Sequence, residues 1–386
     1  MIFERCGQKM KTTTILSIIT LMIVLAACTN QAPASAPETN NSVQLKEACI
    51  RVTAPLSGPY AYYGTQVQKG LDLAFEAEQE TLSEQGMTLN LMFDDNTGNK
   101  AQAVTSFTKF VAECDPTIII STNTPLSQPL IPLAEENKVN LLALVTGAKD
   151  FAVGNDYVFR DAIMSYQEGT ALGKYMQSKQ INKVATLVVN DDYGLSAADG
   201  VKEIMKDNVV QMEKFENAAL DMRTEILKIK ASGAEAVVIA GREKNILLGV
   251  HQLLENGFSQ EQIFTIDSFE SPTVLNELGE LANGITFTTV YVDPENPQSK
   301  AFQNNFKAKY GEEPGIYAID AYAAGQYIVQ SMVDCGTSAE EVNSCLKTKE
   351  FNTIKGTLGF DEKHDATISI GIYKMENGSK MLISRG

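Results

Sequence analysis

Three tyrosines stand in one short turn of the chain. The segment APLSGPYAYYG places Tyr60, Tyr62 and Tyr63 between an apolar, strand-like stretch and a helical pattern that begins at residue 65. A tyrosine ring has an apolar face and a polar hydroxyl group, so such rings can pack a helix onto a sheet or cover a bound solute. We expect Tyr63, which precedes Gly64 and the helix, to cover a solute, with Tyr60 beside it and Tyr62 packed within the fold.

Amide and hydroxyl side chains follow a second strand-like stretch. The segment STNTPLSQ contains Asn123 and Thr124 directly before a helical pattern. Threonine and serine often cap a helix N-terminus, and the free N–H groups of such a terminus also bind carboxylates. The segment is therefore compatible with a helix cap alone, or with a cap that also forms an anion site.

Residues that could perform catalysis are few and scattered. His251 lies within the amphipathic pattern NILLGVHQLLENG and His364 lies in a turn, and neither accompanies a nucleophile motif such as GxSxG. Asp94 and Asp95 lack the spacing of an EF-hand loop, and the sequence contains no CxxC pair. Nothing selects a pair of carboxylates for hydrolysis, although nothing excludes one. The sequence predicts no enzyme, no metal site and no cofactor.

Composition and charge describe a folded, acidic protein. Of its 386 residues 44% are hydrophobic, and 32 basic against 48 acidic residues give a net charge of −16. The length is enough for two domains of ordinary size. The acidic balance argues against binding nucleic acid and against docking on anionic lipid through a basic face.

The N-terminus carries the features of an export signal. A basic segment precedes the 13-residue apolar run ILSIITLMIVLAA, which is shorter than the roughly 20 residues of a membrane-spanning helix. The run ends in LAAC, which resembles the lipobox of bacterial and archaeal lipoproteins. That resemblance implies a signal peptide over residues 1–27 and a lipid anchor on Cys28; the alternative is an ordinary signal peptide with a chance cysteine. Residues 28–47 have the composition of a flexible stalk.

Four further cysteines fit an extracytoplasmic compartment. Beyond the lipobox the chain contains Cys49, Cys114, Cys335 and Cys345. Thiols in an oxidising compartment favour disulfides, here two of them. Cys335 and Cys345 close the short loop CGTSAEEVNSC, so we pair them. Cys49 and Cys114 stand just before strands that are parallel neighbours in a sheet of order 2-1-3, so a bond is geometrically plausible there; the alternative is free buried thiols.

Apolar stretches alternate with amphipathic helical patterns through most of the chain. One series contains CIRVTAP, TLNLMFDD, PTIIIST and VNLLALV, and a second begins after YVFRD with KVATLVVN, AEAVVIAG, QIFTID and GITFTTVYV. Continuous apolar stretches between helices indicate parallel strands covered on both faces. The predicted fold is α/β, with two lobes that each contain a doubly wound parallel sheet. The tail GTLGFDEKHDATISIGIYKMENG alternates like a β-hairpin.

The strand exits are where a ligand is expected, because open α/β sheets bind ligands beyond the carboxyl ends of their strands. Several segments, in order along the chain, resemble the type I periplasmic binding proteins of ABC importers, in the leucine/isoleucine/valine-binding branch. They are APLSGPYAYYG with KGLDLAFE, NDDYG, KYGEEPGIYAIDAYAAGQYI and GTLGFDEKHD. The resemblance covers residues 48–380 and implies two lobes, joined by three crossovers near residues 160, 290 and 354, that close on a small solute.

The resemblance also implies which residues of the first lobe hold the solute. In this family that lobe binds the backbone groups of an amino acid, and a ring from the first turn covers the side chain. The ring corresponds to Tyr63 and the hydroxyl donor to Thr124. The loop after the fourth strand corresponds to Gly147, Ala148 and Lys149. Lys149 stands where a leucine binder has a threonine, and its charge could take a carboxylate.

The second lobe is expected to close the site. Its tyrosine corresponds to Tyr193, which could equally pack the following helix. Arg242 stands where the family has a tyrosine, next to Glu243, and a solvated ion pair at a helix start is the alternative role of these two residues. The family's ammonium-binding carboxylate corresponds to Ser268, with Asp267 adjacent.

The sequence therefore predicts an extracytoplasmic, lipid-anchored substrate-binding protein of an ABC importer. Its partners would be a membrane permease and a small solute, an amino acid or related carboxylate, and we expect a monomer. Cations and anions near one cleft favour a polar or charged solute. The alternative is the same fold acting as a ligand sensor for a membrane receptor or kinase. Lobe 1 is predicted to contain residues 48–160 and 291–353, and lobe 2 residues 161–290 and 354–386.

Overall fold

The structure, a computed structural model, describes residues 46–385. The predicted signal peptide, Cys28 and the stalk up to residue 45 lie outside the described residues. The first strand begins at Lys46, so the last residues of the predicted stalk belong to that strand. Between residues 46 and 385, no helix is both long and apolar enough to cross a membrane.

Five parallel strands form the first sheet: β1 (Lys46–Ala54), β2 (Met87–Asp95), β3 (Ile118–Thr122), β4 (Asn140–Leu144) and β5 (Val158–Asp161). Their spatial order is β2-β1-β3-β4-β5. Every residue of β3 and β4 is buried, as expected for parallel strands with helices on both faces. The accompanying helices are α1 (Ala61–Ala77), α2 (Gln79–Glu84), α3 (Lys100–Glu113), α4 (Thr124–Ser127) and α5 (Ile131–Asn137). This 2-1-3 order brings Cys49 and Cys114 together in a disulfide.

The second sheet begins with five parallel strands: β6 (Val184–Val189), β7 (Val209–Phe215), β8 (Ala236–Ala240), β9 (Ile263–Thr265) and β10 (Thr286–Val290). After a small hairpin of β11 (Phe351–Thr353) and β12 (Gly356–Leu358), the chain returns as β13 (Ile370–Glu376) and β14 (Ser379–Arg385). The order is β14-β13-β10-β9-β8-β6-β7, with β13 and β14 antiparallel to their neighbours. The helices of this part are α6 (Ser165–Ser178), α7 (Asp192–Met205), α8 (Arg223–Ala231), α9 (Glu243–Glu255) and α10 (Pro272–Leu278).

The predicted tail hairpin is present only around an antiparallel bridge between Phe360 and Ala366, and the strands on either side of this bridge pair elsewhere. Strand β12 pairs with β11, whereas β13 pairs with β10 on one side and β14 on the other. The side chains of Ile370 and Ile372 on β13 are buried, and pairing with β10 places them in the interior. The alternating pattern was therefore that of two separate strands.

Three helices complete the fold: α11 (Pro297–Tyr310), α12 (Ile316–Cys335) and α13 (Ala339–Thr348). Helix α12 packs along α1 and contributes Tyr327 and Ile328 to the core beneath the first sheet. Gly70 permits this close packing, because a Cβ atom on it would lie 2.4 Å from the Ala318 carbonyl oxygen. The second disulfide, Cys335–Cys345, joins α12 to α13.

The two mainly parallel sheets with flanking helices confirm the predicted fold class of two α/β lobes. The chain leaves the first sheet after β5 and leaves the second sheet after β10. It re-enters the second sheet after the β11–β12 hairpin. The predicted lobe boundaries lie at these passages and stay a prediction.

Candidate functional site

A cleft lies beyond the carboxyl ends of strands from both sheets. Residues in the turns after β3, β4 and β5 line one part of it, and residues after β6, β8 and β9 line another. Its volume is about 770 Å³ including the open space at its mouth. This is the location that the carboxyl-end rule for open α/β sheets predicts.

Tyrosine rings form a large part of the cleft lining. Tyr60 and Tyr63, at the start of α1, line it together with Tyr317 of α12. The ring centroids of Tyr63 and Tyr317 are 5.0 Å apart in an edge-to-face arrangement, and burial raises the pKa of Tyr63. Tyr62 is not among the lining residues; its ring packs against Tyr63 and Tyr317 at 5.9 and 6.0 Å. Gly64 lets α1 begin this close to β1, because a Cβ there would lie 2.2 Å from the Pro55 carbonyl oxygen.

Two sharp turns bring polar groups of the first lobe to the cleft. Asn123 follows β3 with a φ of 65° and Val145 follows β4 with a φ of 54°, both in the left-handed region. This conformation is uncommon for residues with a side chain and more so for a β-branched one, and such outliers concentrate at functional sites. The Asn123 N–H donates to the Leu144 carbonyl, which ties the two turns together at 3.2 Å. Thr124, directly after Asn123, and Gly147, two residues after Val145, line the cleft.

A carboxylate of the second lobe faces the same cleft. Asp267 follows β9 and lines the cleft, and its Oδ1 accepts a 2.8 Å hydrogen bond from the hydroxyl of Tyr193. No Lys or Arg of residues 46–385 forms an ion pair with Asp267. Burial raises the pKa of Asp267, and the hydrogen bond from Tyr193 opposes that rise. A carboxylate placed in this way is a ready acceptor for a cationic group of a solute.

A cation lies beside this carboxylate. The guanidinium of Arg242, just before α9, lies 4.6 Å from the ring centroid of Tyr193. Its Nη2 donates to Asp191 Oδ2 at 2.9 Å, and that same Asp191 caps α7 by accepting the N–H groups of Tyr193 and Gly194. The Nη1 of Arg242 is buried and has no hydrogen-bond partner in the part of the chain that the structure describes. A solute carboxylate could accept from it.

Three of the residues predicted for the site lie outside the cleft lining: Ala148, Lys149 and Glu243. The Ala148 carbonyl accepts a hydrogen bond from the guanidinium of Arg160. The ammonium of Lys149 lies 5.0 Å from the ring centroid of Tyr166, a cation–π contact. Glu243 is the first residue of α9, and burial raises its pKa. The structure thus gives Lys149 a partner within the protein.

The other predicted residues come together around the cleft: Tyr60, Tyr63, Asn123, Thr124, Gly147, Tyr193, Arg242, Asp267 and Ser268. Of the two candidates for the acidic position, Asp267 presents a carboxylate. The Ser268 hydroxyl donates to the Gly241 carbonyl at 2.7 Å and is therefore committed within the fold.

The sequence interpretation missed the contribution of α12. Ile316, Tyr317 and Asp320 line the cleft from the first turns of this helix. Asp320 is buried and accepts a 3.0 Å hydrogen bond from the Lys355 ammonium, which also contacts Asp161 at 2.5 Å. Burial raises the pKa of Asp320 and the positive charge of Lys355 opposes that rise. A lone aspartate in the apolar run IYAIDAYAAGQY was the available signal, because a buried acid requires a partner.

The combination of two α/β lobes and a polar, tyrosine-lined cleft at their strand ends defines a two-lobed solute-binding protein. The family model described as periplasmic binding protein matches residues 50–380. The chain belongs to this family, which confirms the predicted resemblance. It is a substrate-binding protein and not an enzyme, and the family implies an extracytoplasmic location.

Individual relatives show the same likeness. The chain is 26% identical over 322 residues to the leucine-, isoleucine-, valine-, threonine- and alanine-binding protein of Pseudomonas aeruginosa, covering 82% of this chain and 86% of the relative. Among solved structures it is similar to the LivJ substrate-binding protein of Streptococcus pneumoniae in complex with isoleucine, with a TM-score of 0.78, 24% identity and coverage of 88% and 99%. It is also similar to an R. palustris solute-binding protein in complex with benzoate, with a TM-score of 0.77, 18% identity and coverage of 88% and 96%. Both structural likenesses concern the fold.

Proposed function

We propose that this protein is the lipid-anchored substrate-binding protein of an ABC importer and that its lobes close on an amino acid. The observation that carries the proposal is Asp267, a carboxylate that lines the cleft without an ion-pair partner among residues 46–385. Burying this partly exposed charge in a closing cleft is costly unless a partner neutralises it. The ammonium group of an amino acid would supply that partner.

The groups around Asp267 complete the set that an amino acid requires. The carboxylate of the bound amino acid would accept hydrogen bonds from the turn at Thr124 and Gly147. It would also accept one from Nη1 of Arg242, which has no hydrogen-bond partner within the described chain. Charge-assisted hydrogen bonds of this type are about twice as strong as neutral ones. The rings of Tyr60 and Tyr63 would cover the side chain of the solute.

A relative in complex with benzoate makes an aromatic acid the natural competing solute. Such a solute would satisfy the donors and stack on the tyrosine rings, but it brings no cation to Asp267. Closing the cleft over it would leave the carboxylate buried and unpaired. We therefore favour an amino acid over an aromatic acid.

Binding to both lobes would couple the solute to lobe closure. Thr124 and Gly147 belong to the first sheet's turns and Tyr193, Arg242 and Asp267 to the second sheet's turns. A solute that contacts both sets has higher affinity for the closed arrangement and shifts the population toward it. A permease that recognises this arrangement would receive loaded protein.

A thermal-shift screen of the purified protein tests the solute class. The panel contains the common L-amino acids, their deaminated acids, benzoate and simple sugars. A solute at 100 times its Kd adds about 2.7 kcal/mol to the free energy of unfolding. An L-amino acid should give the largest shift in melting temperature. A shift with benzoate or a sugar and none with any amino acid would contradict the proposal.

The lipid anchor is supported by the LAAC segment that ends the apolar run. Substituting Cys28→Ser removes the sulfur that would carry the lipid. In cells labelled with a fatty acid, the wild-type chain should incorporate the label and C28S should not. Equal labelling of the two chains would contradict this part of the proposal.

A further inference from the structure

A fully buried glutamate lies behind Asp267. Glu168, in the first turn of α6, has no exposed surface. Its Oε1 accepts the backbone N–H of Asp267 at 2.9 Å and the hydroxyl of Thr288, on β10, at 3.0 Å. The glutamate thus connects the helix and a central strand of the second lobe to the backbone of the cleft residue.

The surroundings of Glu168 favour a neutral carboxyl group. No Lys, Arg or His of residues 46–385 forms an ion pair with it, and the residue whose N–H it accepts, Asp267, is itself acidic. Burial first, and then the charge of Asp267, raises the pKa of Glu168 well above its ordinary value. A neutral carboxyl group still has a carbonyl oxygen that can accept from the Asp267 N–H and the Thr288 hydroxyl. It adds no second negative charge beside Asp267.

We propose that Glu168 is a positioning residue for solute binding, which holds the Asp267 backbone so that the Asp267 carboxylate faces the cleft. Asp267 is then fixed at two points, since Glu168 binds its N–H and the Tyr193 hydroxyl binds its Oδ1. The residue acts through Asp267 and does not line the cleft. The expected effect of Glu168 on solute binding rests on the proposed function. Its hold on the Asp267 backbone does not depend on any solute.

The side-chain chemistry suggests a matched set of variants. Glu168→Gln keeps the shape and the accepting carbonyl oxygen of a neutral carboxyl group. Glu168→Ala removes the acceptor. Leu172→Ala removes another fully buried side chain of the same helix, one with no hydrogen bond to Asp267, and so controls for loss of packing.

Amide hydrogen exchange, read residue by residue by NMR in the purified protein without added solute, tests the positioning. In E168A the Asp267 amide should exchange at least about tenfold faster than in the wild type, since one hydrogen bond to it is lost. E168Q should retain wild-type protection of that amide. L172A should raise exchange throughout the second lobe, without a selective effect at Asp267.

Two results would overturn the proposal. If E168A raises exchange throughout the second lobe, as L172A does, without a selective effect at the Asp267 amide, then Glu168 is a packing residue. If E168Q exposes the Asp267 amide as much as E168A does, then the accepting oxygen of a neutral group is not what holds it.

A binding arm connects the positioning to function. The thermal-shift panel of L-amino acids is repeated on E168Q and E168A. E168Q should keep the wild-type response, and E168A should bind the same amino acid about tenfold more weakly. Wild-type affinity in E168A would overturn the functional consequence. If no amino acid shifts the wild-type protein, the proposed function fails while the exchange result still decides the positioning.

Discussion

Gly147 of the first lobe and Tyr193 of the second meet across the cleft. A Cβ atom on Gly147 would lie 3.2 Å from Cδ2 and 3.5 Å from Cε2 of the Tyr193 ring. Gly147 follows a strand of one sheet and Tyr193 begins a helix on the other. The two lobes approach closely here because residue 147 has no side chain.

Substituting Gly147→Ala should therefore oppose lobe closure. Overpacking a close contact by one methyl group costs about 1–3 kcal/mol, so affinity for the amino acid with the largest thermal shift should fall about tenfold. The melting temperature without solute should change little. Calorimetric titration checks the affinity, with Ala148→Ser as a control in the same loop but outside the cleft lining. Unchanged affinity in G147A would show that this contact does not limit closure.

Arg242 should recognise the carboxylate of the solute. The wild-type protein should prefer an L-amino acid to the amide of the same amino acid, because the amide lacks the charge that Nη1 of Arg242 would bind. In Arg242→Met that preference should fall roughly tenfold, the worth of one charge-assisted hydrogen bond. Arg242→Lys, which keeps the charge, should retain part of it. If R242M keeps the wild-type ratio of affinities for the amino acid and its amide, then the turns of the first lobe alone bind the solute carboxylate.

Lys355 should be a main electrostatic support of the fold. Its ammonium lies between Asp161 and Asp320, and all three side chains are almost completely buried. Substituting Lys355→Met leaves two buried carboxylates without a cation, which should lower the free energy of unfolding by about 3–5 kcal/mol. Denaturant unfolding measures the loss. Lys363→Met, at an ammonium whose side chain is 61% exposed, is the control and should be nearly neutral.

Adding Asp320→Asn to K355M should recover part of the stability. One of the two uncompensated carboxylates is then absent. If K355M unfolds at the wild-type denaturant concentration, the buried triad does not support the fold.

Glu168 should make stability depend on pH. Its pKa is raised in the folded state, so the folded protein holds this proton more tightly than the unfolded chain does. The contribution is fully favourable below the unfolded pKa, about 4.3, and it is lost as pH rises toward the raised folded pKa. E168Q cannot lose a proton and should show a flatter decline of stability with pH. Melting temperatures from pH 4.5 upward should therefore diverge in favour of E168Q; parallel curves would contradict a raised pKa.

The predictable parts of this protein are those in which neighbouring residues carry the signal. The apolar strands followed from the alternation along the chain. The 2-1-3 order that is usual for doubly wound sheets made a bond between Cys49 and Cys114 plausible, with free thiols as the alternative, and the structure has the bond. Strand β7 was missed because VVQMEKF is mostly half-buried at the sheet edge and lacks a continuous apolar run. The predicted tail hairpin is limited to the residues around the bridge between Phe360 and Ala366, because β13 finds its partner, β10, far away in sequence.

The site was harder to predict where the fold joins distant segments. Tyr317 and Asp320 reach the cleft from α12, and only the packing of that helix against α1 shows it. Lys149 was predicted to bind a solute carboxylate because it is positively charged and follows the fourth strand. In the structure its ammonium lies over the ring of Tyr166. The role inferred for Glu168 depends on contacts with Asp267 and Thr288, which are 99 and 120 residues away.

The central claim, that Asp267 binds the ammonium group of an amino acid, is tested most directly by titration calorimetry. The amino acid with the largest thermal shift and its deaminated acid are each titrated into wild-type protein and Asp267→Asn, with Asp221→Asn as an exposed-site control. The wild type should bind the amino acid at least about tenfold more tightly than the deaminated acid, and D267N should lose that difference. Equal affinities for the two solutes in the wild type would contradict the claim.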